Sequence, residues 1–392
     1  MMYNFTAVVD RKNTGAMKTD TQAIKEMLNL NCNFYDDTIF MWVADMDFAC
    51  SKEIINAFHE RTDKLIFGYT TQTKDYYDSI INWYGKRHNM KIEEDWITFS
   101  PGTVSAIRNC LRAFTSEGDG VIIQPPVYYP FEEQILETNR TILRNELVRD
   151  ENNHYSIDFE DFEEKCKDPN AKMFIYCNPH NPIGQIWSKD DTSRLLEICE
   201  KNNVIMFSDE IHCDLIRKNE SFVSALNLPH GDYVIVATAV NKTFNLAGLQ
   251  ITNLIIEDKN MREKLNAYTG KILISPFSME ATIAAYNQGE EWLKNVNDII
   301  EENADYISQF IKDNLPRIKY NKPQGTYLIW LDFSDYKYRG QELLEKIAEE
   351  AHLILESGSM FGNVGEGFIR MNIATPTNTV KEAMERLYKV FG

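Results

Sequence analysis

Short apolar runs alternate with helix-spaced apolar positions along most of this chain. Runs rich in β-branched and aromatic residues at 96–99, 121–124, 173–177, 204–208, 233–239 and 251–256 predict buried strands. A strand with one wet face would instead alternate polar and apolar side chains. Between the first two runs, Val104, Ile107, Leu111 and Phe114 fall at the three-and-four spacing of a helix over 103–114. Strand and helix in repeated succession predict an α/β architecture with a mainly parallel, helix-flanked sheet. After about residue 286 the texture changes. A long polar helix pattern at 290–314 is stopped by Pro316, and strand, helix, strand and helix follow at 326–332, 341–352, 368–373 and 377–390. This second stretch reads as a compact α+β unit.

The 392 residues suffice for a large core and a smaller second domain, since single cores stop growing near about 250–300 residues. A hydrophobic share of 43% with 26% charged residues is ordinary for a soluble globular chain. The net charge of −18, without any basic cluster, argues against nucleic acid or an acidic membrane surface as a partner. Seven cysteines without a C-x-x-C pair fit neither a disulfide framework nor a zinc site, and predict reduced thiols in a cytoplasmic protein. The first residues lack a basic segment followed by a long apolar core, so a secretory signal is not expected. Apolar runs such as 233–240 fall well short of the roughly 20 residues of a membrane span.

Candidate chemistry collects just beyond the carboxyl ends of predicted strands, the usual ligand crevice of an open α/β sheet. Lys242 follows the 233–239 run in Thr238-Ala239-Val240-Asn241-Lys242-Thr243-Phe244-Asn245. Asn178-Pro179-His180-Asn181-Pro182-Ile183-Gly184 follows the 173–177 run, and Asp209-Glu210-Ile211-His212 follows 204–207. A lysine so placed can hold pyridoxal phosphate as a Schiff base. The order Asn-Pro turn, Asp, Lys, with a strand between each, resembles the fold-type I pyridoxal phosphate enzymes of the class I/II aminotransferase superfamily. Trp42-Val43-Ala44-Asp45-Met46-Asp47-Phe48, Ser100-Pro101-Gly102, Pro125-Pro126-Val127-Tyr128-Tyr129-Pro130-Phe131 and Lys242-Thr243-Phe244-Asn245 narrow it to the MalY/PatB subgroup. The resemblance covers nearly the whole chain.

It implies a large cofactor-binding domain at 46–286, and a small domain joining 1–45 to 287–392. It also implies roles. Lys242 would carry pyridoxal 5'-phosphate and, once freed, remove the substrate Cα proton. Asp209 would keep the pyridine nitrogen protonated. Asn181 would donate to the ring's phenolic oxygen beside the substrate, with Asn178 shaping the turn, and His212 would stand where typical aminotransferases have a tyrosine. Tyr128 would stack on the ring. Gly102, Thr103 and Val104 open a helix whose free N–H groups suit a phosphate. Asn241 could add its amide, although Ala239 and Asn241 stand where many relatives have serine, which leaves the exact phosphate ligands open. Arg370, among apolar strand neighbours, would grip the substrate α-carboxylate, with the backbone of Ala44 closing the site. Tyr69 would reach the cofactor phosphate of a partner subunit, making a homodimer with shared active sites.

No metal is expected. His212 and Cys213 are adjacent, and neighbours in a strand face opposite sides. The activity implied is β-elimination from cystathionine or another cysteine S-conjugate, giving thiol, pyruvate and ammonia. An aminotransferase of an L-amino acid would use the same residues, and a cofactor-binding regulator with weak activity is a third reading.

Overall fold

The computed structural model describes residues 3–392, so the first two residues of the expected 1–45 segment lie outside the described residues. Strands β1 (Ile97–Pro101), β2 (Gly120–Ile123), β3 (Thr141–Arg144), β4 (Ala171–Cys177), β5 (Ile205–Asp209), β6 (Val234–Thr238) and β7 (Ile251–Ile255) form one sheet. Their order is β1-β7-β6-β5-β4-β2-β3. Neighbours run parallel except at β7, which lies antiparallel between β1 and β6. The exception has a local cause. Parallel neighbours need a crossover, whereas antiparallel ones can be joined directly, and only the turn carrying Lys242 separates β6 from β7.

Each apolar run of the sequence becomes a strand, shifted by one or two residues. Strands β6 and β7 are buried at every position, as a sheet covered on both faces requires. The edge strand β3 has no counterpart among the runs, because Thr141 and Arg144 are exposed and only Ile142 and Leu143 are half-buried. Helix Thr103–Phe114 forms where its spacing predicts, yet its buried face is Ala106, Ile107, Cys110 and Leu111. Val104 and Phe114 are only half-buried, since the stripe is centred one position away from the expected one.

The C-terminal stretch builds a second sheet from β8 (Lys319–Tyr320), β9 (Leu328–Asp332), β10 (Glu356–Ser357) and β11 (Phe368–Asn372), in the order β8-β9-β11-β10 and antiparallel throughout. Helices Glu290–Asn314, Gly340–Ala351 and Thr377–Phe391 pack together beside it through apolar stripes such as Leu343, Leu344 and Ile347. Among the described residues, no helix is long and apolar enough to cross a membrane.

The turn after β6 is held by aromatic packing. Phe244 stacks on Trp292 at 5.9 Å and lies against Trp83 at 5.4 Å. A Cβ on Gly289 would come within 2.3 Å of the Phe244 ring, so the chain must be bare there. Trp292 is fully buried, and its indole N–H donates to the Ala49 carbonyl at 3.0 Å. Trp292→Ala should therefore cost about 3–5 kcal/mol, read as a lower denaturant midpoint.

Candidate active site

Three strand ends of the large sheet meet one strand of the small sheet. Asp209 ends β5 and pairs in register with Cys177 on β4 and Ala237 on β6. Lys242 sits in the one-turn helix Val240–Thr243 that follows β6. Arg370 occupies the middle of β11, opposite Glu356 on β10 and Trp330 on β9. Asp209 and Arg370 are buried and Lys242 is half-buried, so each charge must find a partner or shift its pKa.

Lys242 donates from Nζ to the Ala44 carbonyl at 2.8 Å. Burial, then the nearby Arg370 charge, lowers its pKa to about 8, against the pull of Asp45, Asp209 and Glu356. Burial pushes Asp209 up to about 7, although the Ile211 N–H at 3.3 Å and the Lys242 charge both oppose it. His212 stays neutral: burial, Lys242 and Arg370 all drive its pKa down, and its Nδ1 has no partner.

Arg370 is held from three sides. Nη1 donates to Asn181 Oδ1 at 3.0 Å, Nη2 donates to the Trp42 carbonyl at 3.2 Å, and Nη2 also pairs with Glu356. The guanidinium lies over the Phe361 ring at 4.8 Å, while Nε is left without a partner. The surface ion pair that an arginine ordinarily makes is thus replaced by a buried one, with Glu356 itself raised above the usual carboxylate range by burial despite Arg370.

Asn178 accepts from the Trp187 N–H at 3.2 Å and so shapes the turn, as its sequence context predicts. Tyr128 is half-buried, and the loss of water around its hydroxyl pushes that group up to about 12. At the start of helix Thr103–Phe114, Gly102 has φ 88°, and a Cβ there would lie 2.5 Å from Gln250 Oε1. Thr103 shares a 2.8 Å hydrogen bond with Thr252, and Asn241 Oδ1 accepts from the Ile251 N–H at 3.2 Å. Tyr69 is not gathered with the rest; it is 98% exposed.

A lysine amine, a carboxylate and a guanidinium thus converge at strand ends across 363 residues of matched family pattern, for the model of aminotransferase class I and II matches residues 25–387. The chain belongs to the class I and II aminotransferase family. Cystathionine β-lyase PatB of Bacillus subtilis (strain 168) is 41% identical over 357 residues, spanning 90% of this chain and 92% of PatB. The structure of cystalysin from Treponema denticola, which contains pyridoxal 5'-phosphate, matches with a TM-score of 0.93 at 34% identity, over 100% of this chain and 99% of its own. The pyridoxal phosphate-bound C–S lyase of Staphylococcus hominis matches with a TM-score of 0.94 at 32% identity, over 100% and 99%.

In this aminotransferase-family chain, several residues around the site carry no signal in the sequence. Glu356 meets Arg370 only through the β10–β11 register. Tyr327 donates its hydroxyl to the same Ala44 carbonyl as Lys242, at 2.7 Å, and its ring lies 5.9 Å from His212. Gln250 reaches the helix start from a left-handed backbone position, φ 53°.

The alternation argument against a metal does not apply as expected, because β5 ends at Asp209 and residues 211–214 are turn. Cys213 lies instead with His88 and Asp214, their ligand atoms within 4.8 Å of one another. Both Asp214 oxygens are already engaged: Oδ1 accepts from Arg87 Nε at 3.1 Å and meets His88 Nε2 at 2.8 Å, and Oδ2 accepts from Trp83 Nε1 and Thr243 Oγ1, each at 3.0 Å. The cluster is a hydrogen-bond hub that fixes the residue next to Lys242. Burial raises the Asp214 pKa, but His88 and Arg87 outweigh it and hold the group at about 2, below its ordinary 3.8. Its contribution is therefore present above the ordinary value and lost as pH falls through about 2. Asp214→Ala should cost about 3–5 kcal/mol near neutrality, and the difference from the parent, measured by denaturation, should shrink at acid pH.

Proposed function

We propose that this protein is a pyridoxal 5'-phosphate-dependent carbon–sulfur lyase that releases thiol, pyruvate and ammonia from cystathionine or a related cysteine S-conjugate. The observation that carries this is the 41% identity to cystathionine β-lyase PatB, over 90% of the chain. The buried Asp209 and Arg370 and the half-buried Lys242 supply the chemistry such a reaction needs.

The residues present fit the cofactor. Gly102 leaves bare backbone at a helix start, beside the Gln250 amide, where a Cβ would intrude. Such a start suits a phosphate, with Thr103, the Val104 backbone and the free amide nitrogen of Asn241 as further donors. Asp209 is a buried carboxylate lacking a cationic hydrogen-bond partner, and a pyridinium nitrogen would supply one. Tyr128 would cover the ring, and Asn181 and His212 would face its phenolic oxygen. When bound, pyridoxal phosphate supplies an electron sink for the bonds of the substrate Cα.

The chain's own residues then divide the work. Arg370 binds the substrate carboxylate and orients the Cα–H bond. Lys242, at about 8, exchanges its proton close to neutral pH and serves as the base at Cα. Asp209 holds the proton on the ring nitrogen. Burial keeps water from these groups.

We propose further that the protein is a homodimer whose Tyr69 enters the partner's site. Leu65 is 80% exposed, and Ile66, Phe67 and Tyr69 are exposed beside it, an apolar run that a second copy would cover. We infer a division into 46–286 and 1–45 with 287–392, a reading supported by one sheet built from strands within 97–255 and a second from strands within 319–372. Seven unpaired cysteines suit the cytoplasm.

The purified protein should convert L-cystathionine to pyruvate and free thiol without an added keto acid. Turnover that needs a keto-acid acceptor would make it an aminotransferase instead. Lys242 must be neutral to attack an aldehyde, so the rate at which cofactor-free protein takes up pyridoxal phosphate should rise with pH through about 8; Lys242→Ala should take up none covalently. Ile66→Asp should shift the protein to monomer in light scattering and lower turnover at least about tenfold, by placing a charge in an apolar contact.

A further inference from the structure

Residues 42–48 form neither helix nor strand, yet they run through the buried site. A buried segment of that kind must satisfy its backbone with partners other than its own. Here side chains provide many of them, beside backbone bonds from the Asp45 N–H to Val43 and from the Asp47 N–H to Ala374, each at 2.9 Å. The Trp42 carbonyl accepts from Arg370, and the Ala44 carbonyl accepts from Lys242 and Tyr327. Asn372 Nδ2 donates to the carbonyls of Val43 at 2.7 Å and Asp45 at 2.6 Å. Asn245 takes the Met46 N–H at 2.8 Å and donates to the carbonyls of Met46 at 3.0 Å and Phe48 at 3.2 Å.

These donors fall into two groups, and from the N-terminal segment Lys18 adds a bond to the Asp45 carbonyl at 3.2 Å and Arg11 one to the Met46 carbonyl. Asn245 lies three residues after Lys242, on the turn that follows β6. Asn372 lies two residues after Arg370 on β11, and Tyr327 immediately precedes β9. The segment is thus tied on one side to the turn carrying the amine, and on the other to the sheet carrying the guanidinium. Lys242 and Arg370 also contact carbonyls only two residues apart, whose Cα atoms can be separated by no more than roughly 7 Å.

We propose that residues 42–48 are a bridge that holds the Lys242 amine in register with the Arg370 guanidinium, and that Asn245, Asn372 and Tyr327 are the positioning residues that keep it taut. None of the three needs to touch the reacting atoms. Each acts by fixing the carbonyls against which the two charged groups are set, and a small misplacement of such groups is costly in rate. The proposal rests on the cofactor assignment above.

Its test compares two amines that differ only in the carboxylate. Glycine uses both Lys242's position and Arg370, whereas methylamine uses the first alone. Equilibrium binding of each to the cofactor-loaded protein is followed through the cofactor's visible band, which requires no turnover. Asn372→Ala should weaken glycine about tenfold, as the loss of one or two buried hydrogen bonds implies, and leave methylamine within about twofold. Tyr327→Phe, which removes one hydroxyl and keeps the packing, should do the same to a smaller degree. Equal loss for both amines, or loss for neither, would overturn the bridge. If the parent protein shows a visible band and responds to methylamine, that failure belongs to the bridge alone; if the parent shows no band, the cofactor assignment falls and takes the bridge with it.

Discussion

A lysine amine taken out of water has to be met by an acceptor, and in this protein the acceptor is a backbone carbonyl rather than a carboxylate. Lys242 rests on Ala44, whose carbonyl is shared with the Tyr327 hydroxyl. A carboxylate in contact would hold the amine as an ammonium, whereas a neutral dipole leaves burial and the Arg370 charge free to lower its pKa to about 8. Much of the surrounding architecture serves this one contact. The aromatic stack of Phe244 on Trp292 holds the turn from behind, the Asp214 hub holds Thr243, and Asn372 holds the carbonyls of Val43 and Asp45 on either side of Ala44.

The charges of the site are arranged so that each cation has an anion near it but only one pair is closed. Arg370 and Glu356 form that pair. Burying two ions costs several kcal/mol for each, and the cross-strand register makes the expense tolerable by holding them opposite each other without further ordering. Glu356 leaves Arg370 Nε unpartnered, so the guanidinium is anchored without being saturated. Asp209 and Lys242 remain open, each displaced toward neutral pH by burial, from opposite sides. Groups in that condition are suited to exchanging protons with a bound reactant.

Much of this was legible in the residues. Runs such as 173–177 and 233–239 are apolar throughout because their strands are covered on both faces, and the chemistry follows them because strand ends are where an open sheet admits a ligand. The edge strand β3 was not legible, since an exposed edge carries no continuous apolar run. Glu356 was not legible either: its partner is 14 residues away in sequence and is chosen by strand pairing. The strand assumed for His212 and Cys213 ends before them, yet the two still face apart, His212 toward Tyr327 and Cys213 toward His88 and Asp214.

The sequence by itself determined the order of elements and the α/β class and singled out Lys242, Asp209, Asn181 and Arg370 as candidates, because local pattern and short motifs are properties of neighbouring residues. Only the tertiary structure decided which carbonyl meets the lysine, which carboxylate meets the arginine, and how the 42–48 segment satisfies its backbone. Those are contacts between residues as much as 329 positions apart. Their partners are selected by packing and register, which no local pattern encodes.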